Sequence, residues 1–175
     1  RQGVNYCGRL WWMLKWAGHE AVAVLDGGWQ AWQAAGAAIS SGSATTPAAS
    51  HFELRPSAAT LIDAERVLLQ LGRPTQTIVE PLDPVAGHIP GALNRPFASN
   101  LGADGRFKPA ALLKAEFEAL LAGRDPASVV HHCGSGVSAI PNLIAMEVAG
   151  LGRATLYGGS WSDWCSERSR PMAQG

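Results

Sequence analysis

Residues Ser128 to Gly150 place the tightest constraint on any fold this chain can adopt: Ser128-Val129-Val130-His131-His132-Cys133-Gly134-Ser135-Gly136-Val137-Ser138-Ala139, then Ile140 to Gly150. The paired valines form a short apolar run suited to a strand buried in a parallel sheet. After Ser138 the residues Leu143, Ile144, Met146 and Val148 follow helical spacing. A cysteine therefore stands where strand turns into helix, and open parallel sheets bind ligands outside the carboxyl ends of their strands. A helix N-terminus offers unpaired N–H groups and partial positive charge, which stabilise a thiolate and lower its pKa. Gly134 and Gly136 are expected to let the backbone curl round the sulfur as an anion cradle, with Ser138 placed to cap the helix. An inert cysteine packed at a strand end is the plain alternative. The order strand, cysteine, glycine-rich loop and helix favours a nucleophile.

At 175 residues and 47% hydrophobic, the chain can bury a full core and has the length of one domain, or one and a part. Its 14 basic and 14 acidic residues cancel, which gives no footprint for nucleic acid. No apolar run reaches membrane-spanning length, and Arg1 to Arg9 lacks a signal-peptide pattern. Three widely spaced cysteines argue against a disulfide framework. The expectation is a soluble cytoplasmic enzyme with no nucleic-acid and no membrane partner.

Taken in order, Leu10 to Gly18 reads as a helix with apolar residues on nearly every face, buried on most sides. Ala21-Val22-Ala23-Val24-Leu25 reads as a strand, ending in the turn Asp26-Gly27-Gly28-Trp29 and a helix through Trp32. One constant shift then aligns Ala17 with Ala149, Gly18 with Gly150, Gly27 with Gly159, Trp29 with Trp161 and Trp32 with Trp164, which indicates two copies of one unit. The same shift places the start of the first copy roughly eighty residues before Arg1. It leaves Cys7 without the position of Cys133, so Cys7 reads as a packing or surface thiol and Cys165 as incidental. The domains expected are 1–38, the end of a first copy; 39–51, a Ser/Ala/Thr/Pro linker; and 52–175, the second copy. Within the second copy, Ser57 to Leu71 and Pro109 to Leu121 read as helices, the latter apolar at Leu112, Leu113, Phe117, Leu120 and Leu121. Thr77 to Val79 and Ala154 to Tyr157 read as strands, with a closing helical turn over Ser160 to Cys165. In Gly87-His88-Ile89-Pro90-Gly91, a histidine held between turn residues reads as structural before it reads as a base.

The run Cys133-Gly134-Ser135-Gly136-Val137-Ser138-Ala139 resembles the active-site loop of the rhodanese sulfurtransferase family, in the form found in its mercaptopyruvate branch. Gly87-His88-Ile89-Pro90-Gly91-Ala92-Leu93-Asn94 and Leu156-Tyr157-Gly158-Gly159-Ser160-Trp161 extend the likeness across the second copy. The resemblance implies an α/β fold, a rhodanese-like parallel sheet flanked by helices, in tandem copies of which the first is incomplete and non-catalytic. It implies sulfane-sulfur transfer from 3-mercaptopyruvate or thiosulfate to a thiol, a thioredoxin-like protein or cyanide. Cys133 would carry a persulfide, Ser135 would assist proton transfer, and Gly134, Gly136, Val137 and Ser138 would bind substrate. No cofactor and no metal are implied, and His88 would be architectural. The family also carries an Asp-Ala-Arg type element and a charged loop with a substrate-holding arginine after the strand. Here Ile78-Val79 runs straight into Glu80-Pro81-Leu82-Asp83-Pro84, so that loop is expected to lie outside the sequence in hand, and Arg95 is the nearest remaining anion contact.

Two rivals remain. A cysteine phosphatase needs arginine six positions after the nucleophile, where this chain has Ala139. A non-catalytic rhodanese-like binding module typically lacks the cysteine, which Cys133 supplies.

Overall fold

Short parallel strands cannot stand alone in water, because both faces of such a sheet are apolar and must be covered by helices. The computed structural model describes residues 4–81 and 87–174 and meets that requirement with five strands and six helices among them. The strands are β1 (Leu61–Ile62), β2 (Thr77–Glu80), β3 (Leu93–Asn94), β4 (Val129–His131) and β5 (Thr155–Tyr157). The helices are α1 (Asn5–Trp16), α2 (Gly28–Ala34), α3 (Ala64–Leu69), α4 (Ala110–Leu121), α5 (Ile140–Val148) and α6 (Ser160–Trp164). Every strand pairing is parallel and the order is β1-β5-β4-β2-β3. Leu82-Asp83-Pro84, part of the departure noted after Val79, lies outside the described residues.

Alternation along the strands sorts the core into two faces. Val79 and Val129 join Leu113, Phe117 and Leu121 of α4 and Met146 of α5 on one face. Ile78, Val130 and Tyr157 join Val67 of α3, Ile89 and Trp164 of α6 on the other. A further cluster sets Trp11 and Trp12 of α1 against Ile140, Leu143 and Ile144 of α5, with Leu156 and Cys133 among them.

Four elements differ from expectation. The helix expected over Ser57 to Leu71 begins only at Ala64, because Asp63 caps it by accepting the Arg66 N–H at 2.9 Å, while Leu61 and Ile62 pair with Leu156 and Tyr157 as an edge strand. Ala21 to Leu25 forms no strand, since no strand among the described residues lies alongside to take its N–H and C=O groups. Helix α1 is not buried on most sides: Trp11, Trp12 and Lys15 are covered, whereas Leu10, Met13 and Trp16 are 60%, 49% and 48% exposed. Leu112 is likewise 47% exposed, while Leu113 beside it is fully buried, because α4 turns only one stripe to the sheet. Residues 39–51 are exposed and carry no helix or strand. Among the described residues no helix is long and apolar enough to cross a membrane.

The contrast on α4 has a measurable consequence. Leu113→Ala should destabilise the protein by about 2–5 kcal/mol in chemical denaturation, and Leu112→Ala by no more than about 0.5 kcal/mol. Equal losses would refute this assignment of the buried stripe.

Candidate active site

Strand β4 carries the chain to the carboxyl edge of the sheet, where the His132 N–H still reaches the Val79 carbonyl at 3.2 Å. The next residues must reverse before α5 starts at Ile140. Gly136 makes that reversal with φ +74°, and a Cβ there would collide with the Gly158 carbonyl. Gly134 has no positive φ and open space where a Cβ would stand, so the curl expected of both glycines belongs to Gly136 alone.

The outcome of the turn is a set of donors on one sulfur. The Gly136 N–H donates to Cys133 Sγ at 3.1 Å, and the N–H groups of Ser135 and Ala139 and the hydroxyl of Ser138 stand near enough to favour its thiolate. Ser138 therefore does not cap α5, whose N-cap Ala139 has no side-chain bond. Cys133 is only 1% exposed. Burial pushes its thiol up, yet the Ser138 hydroxyl and the three N–H groups together outweigh burial and hold it below an ordinary thiol. Ser135 presents its N–H to the sulfur while the residue itself is exposed at the loop tip. Val137 is half-buried, and its carbonyl accepts the Ile140 N–H at 3.2 Å as α5 begins.

Helix α6 pins this loop from outside. The Cys133 N–H donates to Ser160 Oγ at 3.2 Å, and that hydroxyl donates to the Tyr157 carbonyl at 3.0 Å. The Trp161 N–H reaches the Cys133 carbonyl at 2.8 Å, and both the Ser162 N–H (3.0 Å) and its hydroxyl (2.7 Å) reach the Gly134 carbonyl. Ser160 is fully buried and held at φ +57°, a backbone cost that persists because its hydroxyl joins strand end to loop. Sequence reasoning marked Gly158-Gly159-Ser160-Trp161 as a family feature but assigned it no task.

The neighbouring histidines are not poised as bases. His131 is fully buried with Nε2 3.1 Å from Met146 Sδ, and burial, with His132 and Arg95 nearby, lowers its pKa to about 3. His132 is also fully buried, its Nε2 2.7 Å from Glu80 Oε2 though not aligned for a hydrogen bond, and its Nδ1 3.2 Å from the Cys133 carbonyl. His88 bridges through its backbone to Ala173 in both directions at 2.9 Å, an architectural task. Ala139, fully buried with its N–H on the thiol, occupies the place where a phosphatase needs a guanidinium.

Arg95 is the candidate that the structure does not bring to the loop. Its Nε bonds Asn100 Oδ1 at 2.9 Å, its Nη2 pairs with Glu116 at 2.8 Å, and its guanidinium covers the Phe117 ring at 4.1 Å. Only 7% of Arg95 is exposed, so it braces the turn after β3 against α4. The guanidinium that does touch the loop belongs to Arg9, whose Nη1 donates to the Gly136 carbonyl, and nothing in the sequence pattern marked it. Cys7 and Cys165 are exposed and stand apart from this arrangement.

Two outcomes follow from this geometry. With Cys7 and Cys165 replaced by Ser, the pH midpoint of Cys133 alkylation should lie below that of a free thiol, and Ser138→Ala should move it upward; an unmoved midpoint removes the hydroxyl from the cradle. Arg95→Ala should lower stability by about 2–3 kcal/mol in denaturant titration, and an undiminished midpoint would free Arg95 for a substrate role.

No family model matches the chain. A Pseudomonas aeruginosa protein named "Probable 3-mercaptopyruvate sulfurtransferase" is 44% identical over 97% of this chain and 64% of its own length. The 3-mercaptopyruvate sulfurtransferase of Homo sapiens is 32% identical over 97% of this chain and 61% of its own. The chain thus spans less than two thirds of the curated relatives it matches. The crystal structure of YnjE superposes with a TM-score of 0.82 over 98% of this chain and 47% of its own, at 22% identity, a likeness of fold alone. The Pseudomonas match runs over 183 positions against a chain of 175, so that relative holds residues within the span that are absent here. Only residues 81–86 separate Glu80 from Gly87. Parallel sheet, cysteine loop and relatives agree, and the chain belongs to the rhodanese-like sulfurtransferase family.

Proposed function

We propose that the protein transfers sulfane sulfur through a persulfide on Cys133. The single observation that carries this reading is the loop folded round the sulfur, with the Gly136 N–H bonded to it at 3.1 Å and the Ser135 and Ala139 N–H groups and the Ser138 hydroxyl close by. They suit a thiolate and equally the outer sulfur of a persulfide anion. The Cys133 thiolate attacks the sulfur of the donor. With 3-mercaptopyruvate the carbon–sulfur bond breaks and the pyruvate enolate takes a proton, a step in which the exposed Ser135 hydroxyl can assist. With thiosulfate the sulfur–sulfur bond breaks and sulfite leaves. A thiol, a thioredoxin-like protein or cyanide then attacks the outer sulfur and restores the thiolate.

The uncharged Gly134-Ser135-Gly136 segment favours mercaptopyruvate, and the Pseudomonas and human relatives carry that substrate in their names. SseB of Mycobacterium tuberculosis, 38% identical over 95% of this chain, takes its name from thiosulfate, which keeps that donor in view. The exposed free cysteines Cys7 and Cys165 favour a reducing, cytoplasmic setting.

Residues 1–38 are read as the end of a first, non-catalytic rhodanese domain, 39–51 as a linker and 52–175 as the catalytic domain. The shift that aligns Trp29 with Trp161 also lays α1 over α5 and α2 over α6. It lays Ala21 to Leu25 over β5, a strand sequence without strand neighbours among the described residues. A binding-module reading draws its one support from the shortened loop after Glu80.

Separate incubation with thiosulfate and with 3-mercaptopyruvate, followed by intact mass measurement beside Cys133→Ala, tests the proposal. One added sulfur on the native protein alone is expected, and the more efficient donor names the branch. No adduct from either donor would favour the binding module.

A further inference from the structure

We infer that Arg9 holds the anionic group of the sulfur donor at the Cys133 loop. This deepens the sulfurtransferase reading and rests on it for the identity of the ligand, for which both proposed donors share one chemistry: a small molecule bearing a carboxylate or sulfonate-type anion together with the transferred sulfur.

Residues 81–86, between Glu80 and Gly87, hold no Lys or Arg, and Arg95 is committed to Glu116, Asn100 and Phe117. Arg9 arrives instead from α1. That helix presses against α5 at Gly8, where a Cβ would lie 3.0 Å from Ile140 Cγ2, and Trp11 and Trp12 continue the contact into the cluster that contains Cys133. Arg9 is thereby carried onto Gly136, donating one N–H to its carbonyl, while a Cβ on Gly136 would come within 2.9 Å of Nη1. Gly136 itself gives its N–H to Cys133 Sγ, so the guanidinium and the sulfur share one residue. Among the described residues Arg9 meets no carboxylate, and its remaining guanidinium N–H groups have no hydrogen-bond partner. The side chain is only half-buried, open to a small solute. A guanidinium held at one nitrogen, and without partners at the others among the described residues, is preorganised for bidentate capture of a carboxylate or sulfonate-type oxygen pair. Neutrality of the loop then falls into place, because the charge complementary to the donor comes from α1 and not from the residues after Cys133.

Pyruvate, which has the donor's carboxylate and no sulfur, reports binding apart from turnover when it shields Cys133 from neutral iodoacetamide. In the full chain carrying Cys7→Ser and Cys165→Ser, pyruvate should slow alkylation of Cys133. Arg9→Gln should raise the concentration for half-protection at least tenfold, with partial recovery in Arg9→Lys. In persulfide formation, the preference for 3-mercaptopyruvate over its uncharged methyl ester should fall at least tenfold in Arg9→Gln. If pyruvate protects both proteins alike, or if the variant loses equally with acid and ester, Arg9 only braces the loop and the inference is overturned. If neither donor loads sulfur while Arg9-dependent protection persists, the sulfurtransferase reading falls and the anion site stands.

Discussion

Sulfur held inside a protein as an anion needs hydrogen-bond donors in place of the water it has lost. At Cys133 the Gly136 N–H bonds the sulfur, and the nearby N–H groups of Ser135 and Ala139 and the Ser138 hydroxyl help to offset the burial that would otherwise drive the thiol towards its neutral form. For several N–H groups to converge on one atom the backbone must reverse within a few residues, and Gly136 does so in a left-handed conformation closed to most side chains. The reversal has to occur at the carboxyl end of β4, since only there does the chain leave the sheet with α5 about to begin.

That tight loop is maintained from two sides. Helix α6 takes up the outward carbonyls of Cys133 and Gly134 through Trp161 and Ser162, while Ser160 bonds the Cys133 N–H from below. Helix α1 takes up the Gly136 carbonyl through Arg9. Each carbonyl turned outward answers an N–H turned inward, so the anion cradle and its braces are one hydrogen-bond system. The residues before 52 take part in it: Glu20 pairs with Arg153 at 3.0 Å, and Asp26 accepts the Phe107 N–H at 2.8 Å. These ties anchor α1 beside the Cys133 loop.

Local pattern made much of this legible. The strand and helix flanking Cys133, helix α4 and strand β2 follow from apolar periodicity, because their burial is dictated by one neighbouring surface. Legibility failed where the neighbour was remote. Ala21 to Leu25 has the composition of a strand, but a strand exists only through its partners. Leu112 and Leu113 are equally apolar, and only the direction of α4 against the sheet decides which is covered. Arg95 is the nearest remaining cation in the sequence after that strand, and Glu116, twenty-one positions on in the chain, claims it.

The sequence by itself determined where the cysteine stands, the parallel α/β plan and the tight turn, since strand, cysteine, glycine and helix are contiguous and their geometry follows from short-range backbone rules. Tertiary structure alone decided which cation braces the loop, which serine stands by the sulfur and which ties the loop to the strand end. Those choices depend on distances between α1, α6 and β4, elements far apart in the chain, and charge and hydrogen bonding are set by such distances and not by order along the backbone.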